Sequence, residues 1–126
     1  MAFTNGKDLP VGGIFNHGMM KLTDSVVTSN QGVETAGGID NDIDGTLTMS
    51  RTQVNDNQST GPNSGRGGGL FNVGTASVTD STISNNSALI GGGVENSGKL
   101  LITNSELINN KTPTTGGALG NRSIFD

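Results

Sequence analysis

Two short motifs alternate along the chain, and no feature constrains its fold more than their spacing. The first reads small-Gly-small-aliphatic-x-Asn and occurs at residues 11–16, 36–41, 67–72, 91–96 and 116–121. Its Asn residues lie 25, 31, 24 and 25 positions apart. The second reads aliphatic-x-aliphatic-Thr/Ser-x-Ser/Thr-x-aliphatic-x-x-Asn and occupies residues 20–30, 47–57, 76–86 and 100–110, each copy without a gap. Length varies only in the connections, before Leu47 and around Gly61-Pro62-Asn63-Ser64-Gly65. Strands that keep register while turns absorb insertions are the mark of a stacked solenoid.

The columns predict the core. Aliphatic-x-aliphatic segments follow the strand period of two, so alternate residues face inward. Ile14, Ile39, Leu70, Val94 and Leu119 form one inward stack, and Met20, Leu47, Ala76 and Leu100 a second. Leu22, Met49, Val78 and Ile102 form a third, and Val27, Val54, Ile83 and Leu107 a fourth. One rung cannot bury its inner face alone, but a rung about 4.8 Å above it can. Asn16, Asn41, Asn72, Asn96 and Asn121 are expected at left-handed corners, stacked as an amide ladder, with Asn30, Asn57, Asn86 and Asn110 as a second. Thr23, Ser50, Thr79 and Thr103, then Ser25, Thr52, Ser81 and Ser105, would add two hydroxyl ladders. Gly, Asn, Thr and Ser supply half the chain, a composition that suggests disorder until it is sorted into these columns. The expected fold is all-β: one right-handed parallel β-helix of about five coils of roughly 24–31 residues, three short strands per coil. The coils run 11–35, 36–66, 67–90, 91–115 and a partial 116–126, after a partial leading coil at 1–10.

These alternating Gly-Gly-aliphatic and aliphatic-x-x-Asn motifs resemble the right-handed parallel β-helix repeats of bacterial polymorphic outer membrane proteins and related adhesin-like surface proteins. The similar region spans residues 11–121. The family's second motif usually carries Phe where this chain has Val27, Val54, Ile83 and Leu107. The resemblance implies an extracellular or cell-surface structural or adhesive role, with no cofactor and no catalytic set. It also implies a far longer chain, with caps and often a membrane anchor.

Composition narrows the function further. A formal charge of −4 with seven Lys plus Arg gives no basic cluster for nucleic acid. No run approaches the roughly 18 apolar residues of a membrane span, so no membrane insertion is expected. The chain has no Cys, which excludes a disulfide scaffold. Neither end carries an evident polar cap. Phe125 falls where Met20, Leu47, Ala76 and Leu100 stand, while residues 1–5 read either as a copy of 100–104 or with Asn5 in the second ladder. The first residues thus continue roughly where the last stop. The expected role is an extracellular structural solenoid, self-associating end to end in a head-to-tail filament or serving as a module of a surface adhesin.

Three groups of side chains could carry chemistry. Asp40, Asp42 and Asp44, followed by Gly45, spell the opening of a calcium loop, but Arg51 stands where the bidentate carboxylate belongs, so a solvated acidic turn is expected. Asp24, Arg51, Asp80 and Asn104 form an outward column. Asp24 and Asp80 lie two coils apart, about 9–10 Å, close to the separation used for inverting polysaccharide hydrolysis. A polysaccharide-binding or -cleaving fragment, lyase or hydrolase, is therefore the alternative to a non-enzymatic role. Phe15 and Phe71 occupy an outward position filled by Asp40, Glu95 and Gly120 in other coils. They could contact glycans or cell-surface polymers, or be covered by a turn. His17, the one histidine, is expected to face solvent. Of the sequons at Asn57, Asn85, Asn110 and Asn121, only Asn85 lies outside the ladders.

Overall fold

The computed structural model describes residues 1–7, 9–62, 65–113 and 117–121. It is a parallel β-solenoid whose strands stack into three long faces. The first face holds Ile14–Asn16, Ile39–Asn41, Leu70–Asn72, Val94–Asn96 and Leu119–Asn121. The second holds Met19–Thr23, Thr46–Ser50, Thr75–Thr79 and Lys99–Thr103. The third holds Ala2–Thr4, Val26–Thr28, Gln53–Asn55, Thr82–Ser84 and Glu106–Ile108. Four complete strand triplets, flanked by one third-face and one first-face strand, make about four turns rather than five. A two-stranded ledge, Gln31–Gly32 beside Gln58–Ser59, closes the corner between the third and first faces. The motifs did not reveal it, because the Gln31–Gln58 match is not repeated in the later coils, where Ser87 and Lys111 follow in line.

Every expected inward column is in register. Ile14, Ile39, Leu70, Val94 and Leu119 pair successively on the first face. The two second-face columns and the third-face column align in the same way. Twelve side chains of these columns form one buried cluster, with Met20, Leu100, Ile102 and Leu107 partly buried against it. A fully buried aliphatic is worth roughly 1.5–3 kcal/mol. The core is therefore thin but unbroken, and its exposure rises where no further rung covers it.

Both amide ladders form. Asn16, Asn41, Asn72 and Asn96 each donate from Nδ2 to Oδ1 of the Asn in the following coil, at 2.8–2.9 Å. Asn30, Asn57 and Asn86 do the same at 3.0–3.1 Å. In this second ladder each Oδ1 also accepts a backbone N–H from the preceding coil, and each Nδ2 reaches back to a carbonyl: Asn57 to Val27 and Asn86 to Val54. Such buried amides are almost fully satisfied. Of the hydroxyl ladders, the second forms through the backbone. Ser25, Thr52 and Ser81 N–H groups donate to the hydroxyls of Thr52, Ser81 and Ser105, which in turn donate to carbonyls two residues earlier in their own chain segments. The first is reduced to one long contact, Ser50 to Thr23 at 3.5 Å.

The left-handed corners are not at the ladder Asn residues. They fall at Asp24, Arg51, Asp80 and Asn104, and at Asn5, Ser29, Asp56, Asn85 and Asn109. The second set immediately precedes the second ladder. The turn there aims the next amide inward, so the strained conformation and the buried amide belong to adjacent residues. Asn and Asp dominate these positions because their short polar side chains tolerate positive φ. The paired glycines of the first motif serve close approach: a Cβ on Gly38 would lie 2.5 Å from the Gly69 carbonyl oxygen. Among the described ones, Gly67 and Gly91 alone are left-handed.

The leading segment follows neither expected register. Phe3 pairs with Val27 and packs on the core, so Asn5 stands opposite Ser29 and Gly6 opposite Asn30. The contacts agree, since Gly6 N–H donates to Asn30 Oδ1 and Gln31 N–H donates to the Gly6 carbonyl. The first-coil core residues Ile14, Leu22 and Val27 are buried. At that end Ala2–Thr4 covers the third face, while Ile14–Asn16 and Met19–Thr23 are edge strands and Met20 is only partly buried. Phe125 lies outside the described residues.

Replacing Asn57 with Ala removes bonds to Asn30, Asn86 and Val27 at once. Urea unfolding should show a loss of roughly 3 kcal/mol or more, since several buried groups are left unpaired. Asn85→Gly, at an exposed corner with φ 55, should change stability by less than about 0.5 kcal/mol. Equal effects at the two positions would refute the ladder's role.

Candidate functional site

The charged corner column is exposed and self-paired. Asp24, Arg51 and Asp80 follow the second-face strands in successive coils. Arg51 grips Asp24 with both ends of its guanidinium, Nε to Oδ1 at 2.7 Å and Nη2 to Oδ2 at 3.1 Å. Asn104 donates to Asp80 from the other side. The Arg51 hydrogen bond holds the Asp24 carboxyl below the usual carboxylate range. A general acid in glycoside hydrolysis needs the opposite shift. All three residues have left-handed backbones. The column therefore builds a corner in which Arg51 offsets the charge of Asp24, and Asp80 is met by the neutral Asn104 amide.

The acidic turn does not gather its carboxylates. Asp40 lies on the outer side of a first-face strand, buried, where Thr35 Oγ1 donates to its Oδ2 at 2.9 Å. Asp44 is exposed on the turn beyond. Among the described residues no group of three or more His, Cys, Asp or Glu side chains is placed to hold a metal.

The outer column of the first face holds the least expected arrangement. Phe15, Asp40, Phe71, Glu95 and Gly120 align on adjacent strands. Phe15 is about half exposed (53%) and stacks on the exposed His17 ring at 5.4 Å. Phe71 is half-buried, and Asp40 and Glu95 are buried. The cover comes from the segment that precedes each strand. Thr35 reaches Asp40 with its hydroxyl, and Gly91 lies against Glu95, where a Cβ on the glycine would touch the Glu95 Cβ at 2.8 Å. Glu95 leans across the bare Cα of Gly120: a Cβ there would meet Oε1 at 2.3 Å. Among the described residues neither Glu95 oxygen has a hydrogen-bond partner, and the Arg66 guanidinium stops at 3.8 Å, too far for a hydrogen bond. Burial raises the Asp40 pKa to about 6, partly offset by the Thr35 hydroxyl, and burial raises that of Glu95 as well. The sequence placed both acids on an outward column but not under cover. The available signal was the Gly pair ahead of each strand, which lets the backbone fold back over the face.

The third surface is the C-terminal end. Leu119 is 43% exposed, and Leu100, Ile102 and Leu107 are only partly covered. A cavity of about 210 Å³ opens among Asn96, Leu100, Ile102, Leu119 and Asn121. A larger groove of about 660 Å³ runs along the adjacent corner past Ile43, Val73, Thr75, Ser97 and Lys99. Comparison with known proteins adds no relative: no family model, no curated protein and no solved structure matches this chain.

Asp40 sets the sign of the pH dependence. Its folded pKa lies above its ordinary value of 3.8, so the folded state holds a proton more tightly than the unfolded chain. The contribution of Asp40 is fully present below pH 3.8 and is lost as pH rises through about 6, by about 3 kcal/mol for a two-unit shift. Denaturant titrations at pH 4 and pH 7 should show this fall, and Asp40→Asn should remove most of it. An Asn variant with the same pH profile would show that the burial of Asp40 has no energetic weight.

Proposed function

We propose that the chain is a non-enzymatic structural β-solenoid module of an extracellular fibre or surface adhesin, and that its C-terminal end receives a further parallel β-coil. The open ends of the apolar columns at Leu100, Ile102, Leu107 and Leu119 carry this reading. A next rung with aliphatics at the same positions would bury them, as each rung buries its neighbour within the stack. The ladders add chemical specificity, because they run in one direction. Asn110 bonds back to the Ile83 carbonyl, as Asn57 does to Val27 and Asn86 to Val54. By that pattern its remaining Nδ2 donor suits an Asn in the incoming coil. The resemblance of both motifs to bacterial surface repeats supports the extracellular setting.

The head-to-tail filament is a less favoured form of the same reading. In an in-register stack, Phe3 of one copy would follow Leu107 of the preceding one, which suits the core. Gly6 would then fall opposite Asn110, and the second ladder would break at every seam. Gly6 cannot be exchanged for Asn, because its Cβ would lie 1.8 Å from the Gly12 carbonyl oxygen. Glycan binding along the outer faces is a further proposal, for which exposed Phe15 beside His17 is the supporting observation.

An extra copy of residues 67–90 joined after Asn121 tests the docking end. It should raise the melting temperature by several degrees and preserve a single cooperative transition. An unchanged or lower midpoint would remove the docking reading. Sedimentation of the unmodified chain at high concentration should show species of bounded size. Open-ended filaments by electron microscopy would instead put self-stacking first.

A further inference from the structure

Asp40 and Glu95 take no part in the coil-to-coil ladders, yet both lie buried beneath backbone arches on the outer side of the first face. They stand two rungs apart, about 9–10 Å by strand spacing, with Phe71 between them. The charged surroundings of each are sparse. Around Asp40 the adjacent rungs are Phe15 and Phe71, the covering arch contributes the Thr35 hydroxyl, and the exposed Glu34 precedes it. Asp42, two residues on, repels the ionised form. Around Glu95 the adjacent rungs are Phe71 and Gly120, and its own arch, Ile90-Gly91-Gly92-Gly93, is uncharged. Arg66, from the arch of the preceding coil, is the cation that faces it, without a hydrogen bond.

A carboxylate so enclosed cannot stay charged at low cost. Burying an ion without hydrogen-bond donors costs far more than burying the neutral acid, so the group keeps its proton or gains access to water. Inner rungs such as Leu70–Asn72 resist opening because they are paired on both sides. The arches are short and Gly-rich, and contribute no side chain to the four aliphatic columns; backbone hydrogen bonds to neighbouring coils, such as Gly38 N–H to the Gly68 carbonyl and Gly93 N–H to the Gly117 carbonyl, are what an opening must break.

We propose that the arches at residues 35–38 and 90–93 form a pH-sensitive cover on the first face, closed while Asp40 and Glu95 are protonated and loosened when they ionise. Loosening wets both carboxylates. The surface presented to a partner then differs between acidic and neutral surroundings, while the solenoid beneath keeps its register. Arg66 attracts ionised Glu95 and so moderates the response of that arch. Asp40 has no cation in either of the two ion pairs found among the described residues, and its arch responds more fully.

This cover is independent of coil docking at the C-terminal end, and so is its test. Amide hydrogen exchange of the full chain is measured between about pH 3.5 and 7, the range that brackets the ordinary and raised Asp40 values, each rate normalised to its intrinsic value at that pH. Protection at residues 36–38 should fall about tenfold per unit of pKa shift, while Thr82–Ser84 in the third face stays protected. Asp40→Asn should abolish the fall at 36–38, and Glu95→Gln should abolish the smaller fall at 91–93. A pH dependence that survives both substitutions, or that affects Thr82–Ser84 equally, would overturn the proposal. Carbon-13 titration of the carboxyl carbons provides a readout that does not depend on the variants folding. Midpoints at ordinary Asp and Glu values would also overturn it.

Discussion

The amide of each ladder Asn is the interaction on which the rest of this molecule depends. A parallel coil satisfies its strand backbone through neighbouring rungs, but its corners turn polar groups inward where water cannot follow. Asn57 resolves this at one corner: its Oδ1 takes two N–H groups from the coil before, and its Nδ2 serves a carbonyl there and the next amide. Because every bond spans adjacent coils, a slip of one residue would break the whole ladder and turn the aliphatics outward. Register, core and corner are therefore one constraint.

That constraint explains how a chain with four Phe and no Trp or Tyr builds a core at all. Rungs such as Met49 and Val78 are fully buried because identical positions lie directly above and below them. The same logic makes the ends distinct. Phe3 and Gly6 close the first coil, one by filling the apolar column and the other by ending the ladder with backbone in place of an amide. At the other end Leu119 has, among the described residues, a rung on one side only.

The outer face follows different rules. Asp24 and Arg51 compensate each other in solvent, where such a pair contributes little to stability. Asp40 and Glu95 are enclosed without an equivalent partner. A repeat built only for stability would place neutral residues at both positions, as it does with Phe71 and Gly120. The contrast makes this column, rather than the charged corner, the chemically loaded part of the surface.

The inward columns, both amide ladders and the fold class were legible in the sequence, because each rests on a period that a stacked rung must repeat. Side-chain type alone decides whether Val54 or Asn57 can face the core. Other features were decided only by tertiary structure. Which residue turns left-handed depends on where the backbone must aim the next amide, so the strain sits at Asp56 and not at Asn57. Whether an outward acid is wet depends on the path of a preceding Gly-rich segment, which no periodicity records. The leading segment took its place from the packing of Phe3 against Val27, a contact between residues 24 positions apart. Pattern determines what repeats from coil to coil; close approach in space decides what lies over it and where it ends.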